Sequence, residues 1–329
     1  MADTIAVFAT SFLDELATHP DGEHDGKQML ERLEQDSDGR LRLEYRCDRD
    51  PQTPLEPSEL SGVRGVIADL ERYDRSLLSQ VGAGAGGDLE IVARYGVGFD
   101  SIDVQAAKEY GVTVTNAPGA NSRPTAEWAV ATLLDIAGRR IPQHERASRG
   151  LGKSGPSRLD VTGRTLGVIG TGMIGRIVVE LLSGFGMRVL AYDPYPDAEW
   201  AERVGAQYVP LEELVSGADF VTIHAAAKEQ ILGASELAMM KPTAALVNCA
   251  RGIHVDNRAA HEAVRNGELF GYGIDEIWPE PDLSLEGLNI ASSPHVGSDT
   301  DSGKVEMRRG SARNIVEHFL GNGAPNPVN

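Results

Sequence analysis

Three stretches in the second half of this 329-residue chain end an apolar run on a side chain that can handle charge or protons. Ala244 to Val247 leads into Asn248-Cys-Ala-Arg251-Gly252, and a guanidinium there can grip a carboxylate through two parallel hydrogen bonds. Gly271 to Ile274 leads into Asp275, with Glu280 in a loop bounded by prolines. Ile290 to Ser293 leads into Pro294-His295, and histidine's ordinary pKa suits proton transfer near neutrality. Taken singly, each could be a surface ion pair or a solvated loop residue. Together they put an arginine, a glutamate and a histidine after strands of one sheet, at the edge where open α/β sheets bind ligands.

Those strands need a framework, and its signature lies upstream. Thr165-Leu-Gly-Val-Ile-Gly170-Thr-Gly172-Met-Ile-Gly175 reads as a buried parallel strand, a glycine turn and a helix start. Gly170 permits the tight turn, Gly172 lets a pyrophosphate approach the backbone, and Gly175 lets the helix lie close on the strand. The helix N-terminus offers free N–H groups and its dipole to phosphates. Met187 to Ala191 is a second strand, closed by Asp193, eighteen residues beyond Gly175. A carboxylate there accepts hydrogen bonds from ribose hydroxyls and repels a 2′-phosphate, which favours NAD over NADP. A glycine triplet alone is only a Gly-rich turn; strand, turn, helix, strand and acid in this order point to a dinucleotide.

The remaining polar motifs are weaker. Arg94-Tyr-Gly96-Val97-Gly98 follows a strand and can expose successive N–H groups to an anion, or be a plain turn. Gly82 to Gly87 lacks a following Lys-Ser/Thr and reads as a connector. His224 ends the strand Phe220 to Ile223 and is expected to line the cofactor cleft without proton chemistry. His19, His24, His144, His261 and His318 read as surface histidines. No spacing of His and Cys suggests a metal site. No Gly-x-Ser-x-Gly elbow occurs.

The length allows two ordinary domains, and 41% hydrophobic residues can fill their cores. A net charge of −18 argues against nucleic acid and anionic membranes as partners. No apolar run is long enough to span a bilayer and the first residues lack a signal-peptide pattern, so a cytoplasmic location is expected. Cys47 and Cys249 cannot make a disulfide framework. A chain rich in acids and arginine but holding only six lysines fits either an ordinary acidic enzyme or a salt-adapted one.

Strands are expected at Ile5 to Thr10, Leu41 to Tyr45, Val63 to Ala68, Leu89 to Tyr95 and Val112 to Asn116. A helical pattern over Asp14 to Glu34 is broken by Pro20-Asp-Gly. Thr125 to Arg139 is a long helix, and Gly150 to Asp160 a surface linker. From Thr165 strands and helices alternate to Gly297, the pattern of a doubly wound parallel sheet. Thr300 to Leu320 is a final helix, after which the chain is expected to fray.

These pieces together resemble the D-isomer-specific 2-hydroxyacid dehydrogenases, and most of all the branch containing phosphoglycerate dehydrogenase. The resemblance runs from about Ile91 to the last helix. It rests on RYGVGFDSIDVQAAKEYGVTVTNAPGANSRPTAEW, TLGVIGTGMIGRIVVELL, MMKPTAALVNCARGIHVDN, GIDEIWPEP and SPHVGSDT. It implies an α/β protein in which a Rossmann doubly wound parallel-sheet cofactor domain, residues 118–297, is inserted into a flavodoxin-like substrate domain, residues 1–117 plus 298–329. It also implies a homodimer built around the helix that starts near Pro124. By the same resemblance, Arg251 binds the substrate carboxylate and carbonyl, His295 donates the proton and Glu280 is its partner. Val97 and Gly98 hold the carboxylate through backbone groups, and Asp275 contacts the nicotinamide side. Gly170, Gly172, Met173, Ile174, Gly175, Asp193, His224, Cys249, Ala250, Arg251, His295 and Gly297 complete the NAD contacts.

The implied reaction is hydride transfer between NAD(H) and C2 of a small 2-hydroxy or 2-keto acid. Phosphoglycerate-like substrates compete with glyoxylate or hydroxypyruvate, with Arg72, Arg75, Arg94 and Arg123 as candidate phosphate partners. A corepressor-like scaffold that senses NAD is the reading from another class; the complete Arg251, Glu280 and His295 set argues against it. Two departures bear on cleft shape: His224-Ala-Ala-Ala-Lys-Glu-Gln lacks the family's Pro-Leu-Thr-like loop, and the usual tryptophan is missing from Gly150 to Ser157. No regulatory module is expected beyond Leu320.

Overall fold

The computed structural model describes residues 3–50, 53–153 and 155–329. Met1, Ala2, Pro51, Gln52 and Ser154 lie outside them, and with Ser154 one residue of the expected linker. The chain divides into two compact units, residues 1–121 with 299–329, and residues 122–298.

The first unit holds a parallel sheet of β1 (Asp3–Val7), β2 (Leu41–Tyr45), β3 (Val63–Ala68), β4 (Ile91–Arg94) and β5 (Thr113–Thr115), in the order β2-β1-β3-β4-β5. This is the flavodoxin-like order, whose direction reverses between β1 and β3. Alternation sends Ala6, Val66, Ala68 and Val92 to one face, and Ile5, Val7, Ile67, Ile91 and Ala93 to the other. Both faces are covered, as a parallel sheet requires.

Helices start where aspartates accept free N–H groups: Asp25 from Gln28, Asp74 from Leu77 and Asp103 from Ala106. Thr300 does the same for the long helix Asp301–Phe319. That helix returns Arg308 to the N-terminal half, where its guanidinium pairs with Asp25 at 2.5 Å and donates to Phe12 O at 2.7 Å. Both partners are buried. Burial alone would raise the Asp25 pKa, but Arg308 and the N–H groups of Gln28 and His19 outweigh it and hold the carboxyl below its usual range.

The tail corrects an expectation: it does not fray. Pro327 bridges antiparallel to Thr115, Val328 N donates to Val114 O at 2.9 Å, and Asn329 bonds both Val114 N and Val112 O. It occupies the open edge that β5 would otherwise present.

The second unit holds seven parallel strands, β6 (Thr165–Ile169), β7 (Arg188–Tyr192), β8 (Ala206–Tyr208), β9 (Phe220–Ile223), β10 (Ala245–Asn248), β11 (Gly271–Ile274) and β12 (Ile290–Ser292). Their order is β12-β11-β10-β9-β6-β7-β8, the Rossmann arrangement with its switch point between β6 and β9. Leu166, Val168, Ala245 and Val247 face one layer of helices, and Ile169, Val221, Leu246 and Ile274 the other. The long helix is Ser122–Gly138, with Pro124, Ala126, Ala129, Leu133 and Ile136 buried.

Candidate active site

At the end of β6, Gly170 has φ +91°, and a Cβ there would lie 2.7 Å from Ala225 N and 2.8 Å from His224 C, the backbone that leaves β9. Only glycine fits both the angle and the gap. A Cβ at Gly175 would run into Gly170 O, so the helix Met173–Leu181 rests directly on the turn. Gly172 differs from both. A Cβ there would meet nothing within 4 Å, and as N-cap it brings no side chain to the first turn. The result is open space in front of N–H groups that no side chain caps, a cradle that fits a pyrophosphate.

Asp193, past the end of β7, is held in place. Its Oδ2 accepts from Thr171 N at 2.7 Å and Thr171 Oγ1 at 3.1 Å, and its Oδ1 from Tyr195 N at 2.9 Å. Thr171 Oγ1 is also 2.7 Å from Tyr208 Oη. The acid that would meet a ribose is thus oriented by the glycine turn itself.

After β9, His224 has both ring nitrogens engaged: Nε2 lies 2.8 Å from Thr222 Oγ1, and Nδ1 3.1 Å from Cys249 Sγ. Burial pushes its pKa down to about 3, so it is neutral. Burial, aided by Asp275, raises the Cys249 thiol well above its usual range. Neither is a nucleophile or proton carrier near pH 7.

The Arg251 loop is fixed through its backbone. Asn248 Nδ2 donates to Arg251 O at 2.7 Å, and Asn257 Nδ2 to Gly252 O at 2.9 Å. Gly252 N donates to Glu276 Oε2. Arg251 Nη1 donates to Ala250 O at 2.7 Å.

His295 sits at φ +59°, a left-handed conformation that non-glycine residues seldom adopt. Asp275 supports it. Its Oδ1 accepts from Ser293 Oγ at 2.7 Å and Val296 N at 2.8 Å, and its Oδ2 from Gly297 N at 2.7 Å. A Cβ at Gly297 would come within 2.5 Å of that carboxylate. Glu280 pairs with Arg258 at 2.7 Å, and among the described residues no hydrogen bond joins it to His295.

Arg251, Asp275, His295, His224, Asp193 and the glycine turn therefore share the carboxyl edge of one sheet. Val97 and Gly98 belong to the other unit, past β4, where Asn116 Nδ2 donates to Val97 O at 2.9 Å. His261, expected at the surface, is buried; its Nε2 lies 2.9 Å from Ser284 O and its ring packs near Trp278. Its helix, Asn257–Asn266, turns that face inward with Ala260 and Val264. His254, Asn248, Asn257 and Glu276 were not singled out by sequence reasoning. The asparagines alone had a signal, in their places beside Arg251. Among the described residues no group of three or more His, Cys, Asp or Glu could hold a metal ion, and no helix is long and apolar enough to cross a membrane.

Residues 130–297 match the family described as D-isomer specific 2-hydroxyacid dehydrogenase, NAD binding domain. A glyoxylate reductase of Korarchaeum cryptofilum is 39% identical over 254 residues, 73% of this chain and 76% of that one. The chain belongs to the D-isomer-specific 2-hydroxyacid dehydrogenases. Members are NAD-dependent oxidoreductases acting on CH–OH donors, which agrees with the glycine cradle and Asp193. A D-3-phosphoglycerate dehydrogenase of Methanocaldococcus jannaschii is 38% identical over 253 residues, 73% of this chain but 48% of that longer one. The crystal structure of TT0316 protein from Thermus thermophilus superposes with a TM-score of 0.80 at 32% identity, covering 99% of this dehydrogenase and all of that chain.

Proposed function

We propose that this dehydrogenase interconverts a small, unphosphorylated 2-keto acid of the glyoxylate type and its 2-hydroxy acid, with the seven-stranded unit binding NAD(H) and the five-stranded unit serving as substrate domain. The observation that carries the reading is the placement of Arg251 and His295 on the strand ends flanking β11, in the sheet whose switch point holds the glycine cradle. Arg251 grips the carboxylate and offsets charge developing on the C2 oxygen. His295 gives that oxygen its proton in the reducing direction and recovers it in the other. When bound, NADH supplies the hydride that reaches C2. Asp275 keeps the His295 loop in its strained shape; the backbone of Val97 and Gly98 is proposed to meet the carboxylate. Glu280, proposed as the partner of the imidazolium, would exchange Arg258 for His295.

The substrate class draws support from the other sheet. Its switch point lies between β1 and β3, the position where ligands approach flavodoxin-like sheets. There Thr10 N and Oγ1 both donate to Asp69 Oδ2, at 2.9 and 2.8 Å, and Asp69 N donates to the fully buried Glu71 at 2.7 Å. Burial and the nearby Asp69 raise the Glu71 pKa. Of the arginines considered for a phosphate, Arg75 is paired with Glu109, and Arg123 with Glu127 and Glu180. A phosphate dianion would meet the Asp69 carboxylate at this edge. A relative named glyoxylate reductase agrees with the smaller acid.

A panel of glyoxylate, hydroxypyruvate, pyruvate and 3-phosphohydroxypyruvate with NADH, followed by nicotinamide absorbance, tests this. Turnover highest with the small unphosphorylated acids is expected; preference for the phosphorylated one overturns the substrate class, and no turnover overturns the reaction. A cytoplasmic homodimer around the helix Ser122–Gly138 belongs to the same proposal, on the family resemblance, and a sedimentation mass of one chain removes the dimer.

A further inference from the structure

Glu276, directly after Asp275, has no counterpart in the chemistry proposed above, yet its carboxylate ends on the backbone of the Arg251 loop. We propose that Glu276 is a positioning residue that fixes Arg251 by accepting the Gly252 N–H. The inference rests on reading Arg251 as the group that grips the substrate carboxylate.

The geometry leaves the peptide between Arg251 and Gly252 little freedom. On one side, Arg251 O accepts from Asn248 Nδ2 at 2.7 Å and from His254 N at 3.1 Å. On the other, Gly252 N donates to Glu276 Oε2. Glu276 is the charged member of this set, and hydrogen bonds to ionised acceptors are the stronger kind. Gly252 is buried, and a Cβ there would collide with the Glu276 carboxylate, so the glycine and the acid are matched. Glu276 is itself anchored: Ser292 Oγ donates to its carbonyl at 2.7 Å, tying it to β12.

The neighbouring acid performs the parallel task. Asp275 accepts from Ser293, Val296 and Gly297 around His295, while Glu276 reaches the opposite way to the loop after β10. The end of β11 therefore sets the cation and the proton donor relative to each other, through two adjacent carboxylates. Placement errors of about 1 Å at such groups reduce rates by roughly a hundredfold, which gives a clamp of this kind its value.

The test compares Glu276→Ala with Glu276→Gln. The glutamine keeps an oxygen that can accept the Gly252 N–H; the alanine does not. In Glu276→Ala the KM for glyoxylate is expected to rise about tenfold or more and kcat to fall, with the NADH dissociation constant unchanged within about twofold. Glu276→Gln should recover most of the loss. Wild-type constants in the alanine variant, equal losses in both variants, or a parallel loss of NADH affinity overturn the proposal. Hydrogen exchange at the Gly252 amide reads the clamp without turnover. Protection lost in Glu276→Ala and kept in Glu276→Gln supports it; unchanged protection in the alanine variant refutes it. A wild-type protein inactive on every 2-keto acid would instead refute the reading of Arg251, and the exchange result would still stand on its own.

Discussion

At the β6/β9 crevice the seven-stranded sheet offers glycines, an uncapped helix start and, one strand further on, Arg251. At the β1/β3 crevice the five-stranded sheet offers Thr10, Asp69 and Glu71 tied to one another. Both are parallel α/β sheets, and both reverse strand order at a position where ligands are received. Topology chooses the place, and the side chains there choose the charge of what binds. The first crevice is built to accept a pyrophosphate by withholding side chains; the second carries an acid at its edge, which opposes a phosphate dianion more than the single charge of a small carboxylate.

The difference can be broken at several points. The largest effect is expected at the seven-stranded edge: His295→Ala should lower kcat by roughly 10²- to 10⁴-fold while NADH binding by fluorescence titration stays intact. Near-normal turnover would remove His295 from its role. In the five-stranded unit the largest effect is on folding. Arg308→Met leaves Asp25 buried without its cation and should cost about 3–5 kcal/mol in denaturant unfolding, without altering the coenzyme dissociation constant of the folded protein. A cost below about 1 kcal/mol would mean that Asp25 finds water instead.

The glycine turn gives a sharper contrast within one motif. Gly172→Ala should leave stability within about 0.5 kcal/mol of wild type, since its Cβ meets open space, yet weaken NADH about tenfold or more by filling the pyrophosphate approach. Gly175→Ala, with Gly170 O in the way, should destabilise the fold before any ligand is added. Equal behaviour of the two variants would deny the difference in their surroundings.

A further expected effect is a pH slope. His224 has its folded pKa near 3, below the unfolded value of about 6.5, so the folded state binds fewer protons. Its contribution is complete above pH 6.5 and is lost as pH falls from there toward 3. His224→Asn should flatten the stability profile over that interval, and an unchanged slope would contradict the burial of a neutral ring.

Much of this was legible from residue order. Apolar runs mark every strand that carries a candidate site residue, and the spacing of Gly170, Gly172 and Gly175 before Asp193 marks the cradle. Arg251 and His295 were visible because each follows a strand. What escaped was long-range or directional. Asp25 and Arg308 lie 283 positions apart, and Asn329 reaches Val114 across 215, so no local pattern announces either contact. The sequence predicts a frayed tail because an edge strand in need of a partner leaves no mark in the residues near it. His261 looked polar by composition, but its helix turns it inward. Glu276 carried no periodicity signal, and only the path of the β10 loop shows what it holds. The pairing of Glu280 with Arg258 follows from loop geometry that proline spacing alone does not determine.

In the proposed reaction a hydride passes between the nicotinamide and C2 of an acid whose carboxylate Arg251 holds and whose C2 oxygen His295 protonates. Its most direct test is single-turnover reduction of glyoxylate with NADH deuterated at both C4 positions, with the product read by NMR. Glycolate carrying one deuterium at C2 is expected, formed in step with NADH oxidation and without hydrogen from solvent at that carbon. Solvent hydrogen at C2, or NADH left unoxidised by every 2-keto acid offered, would contradict it.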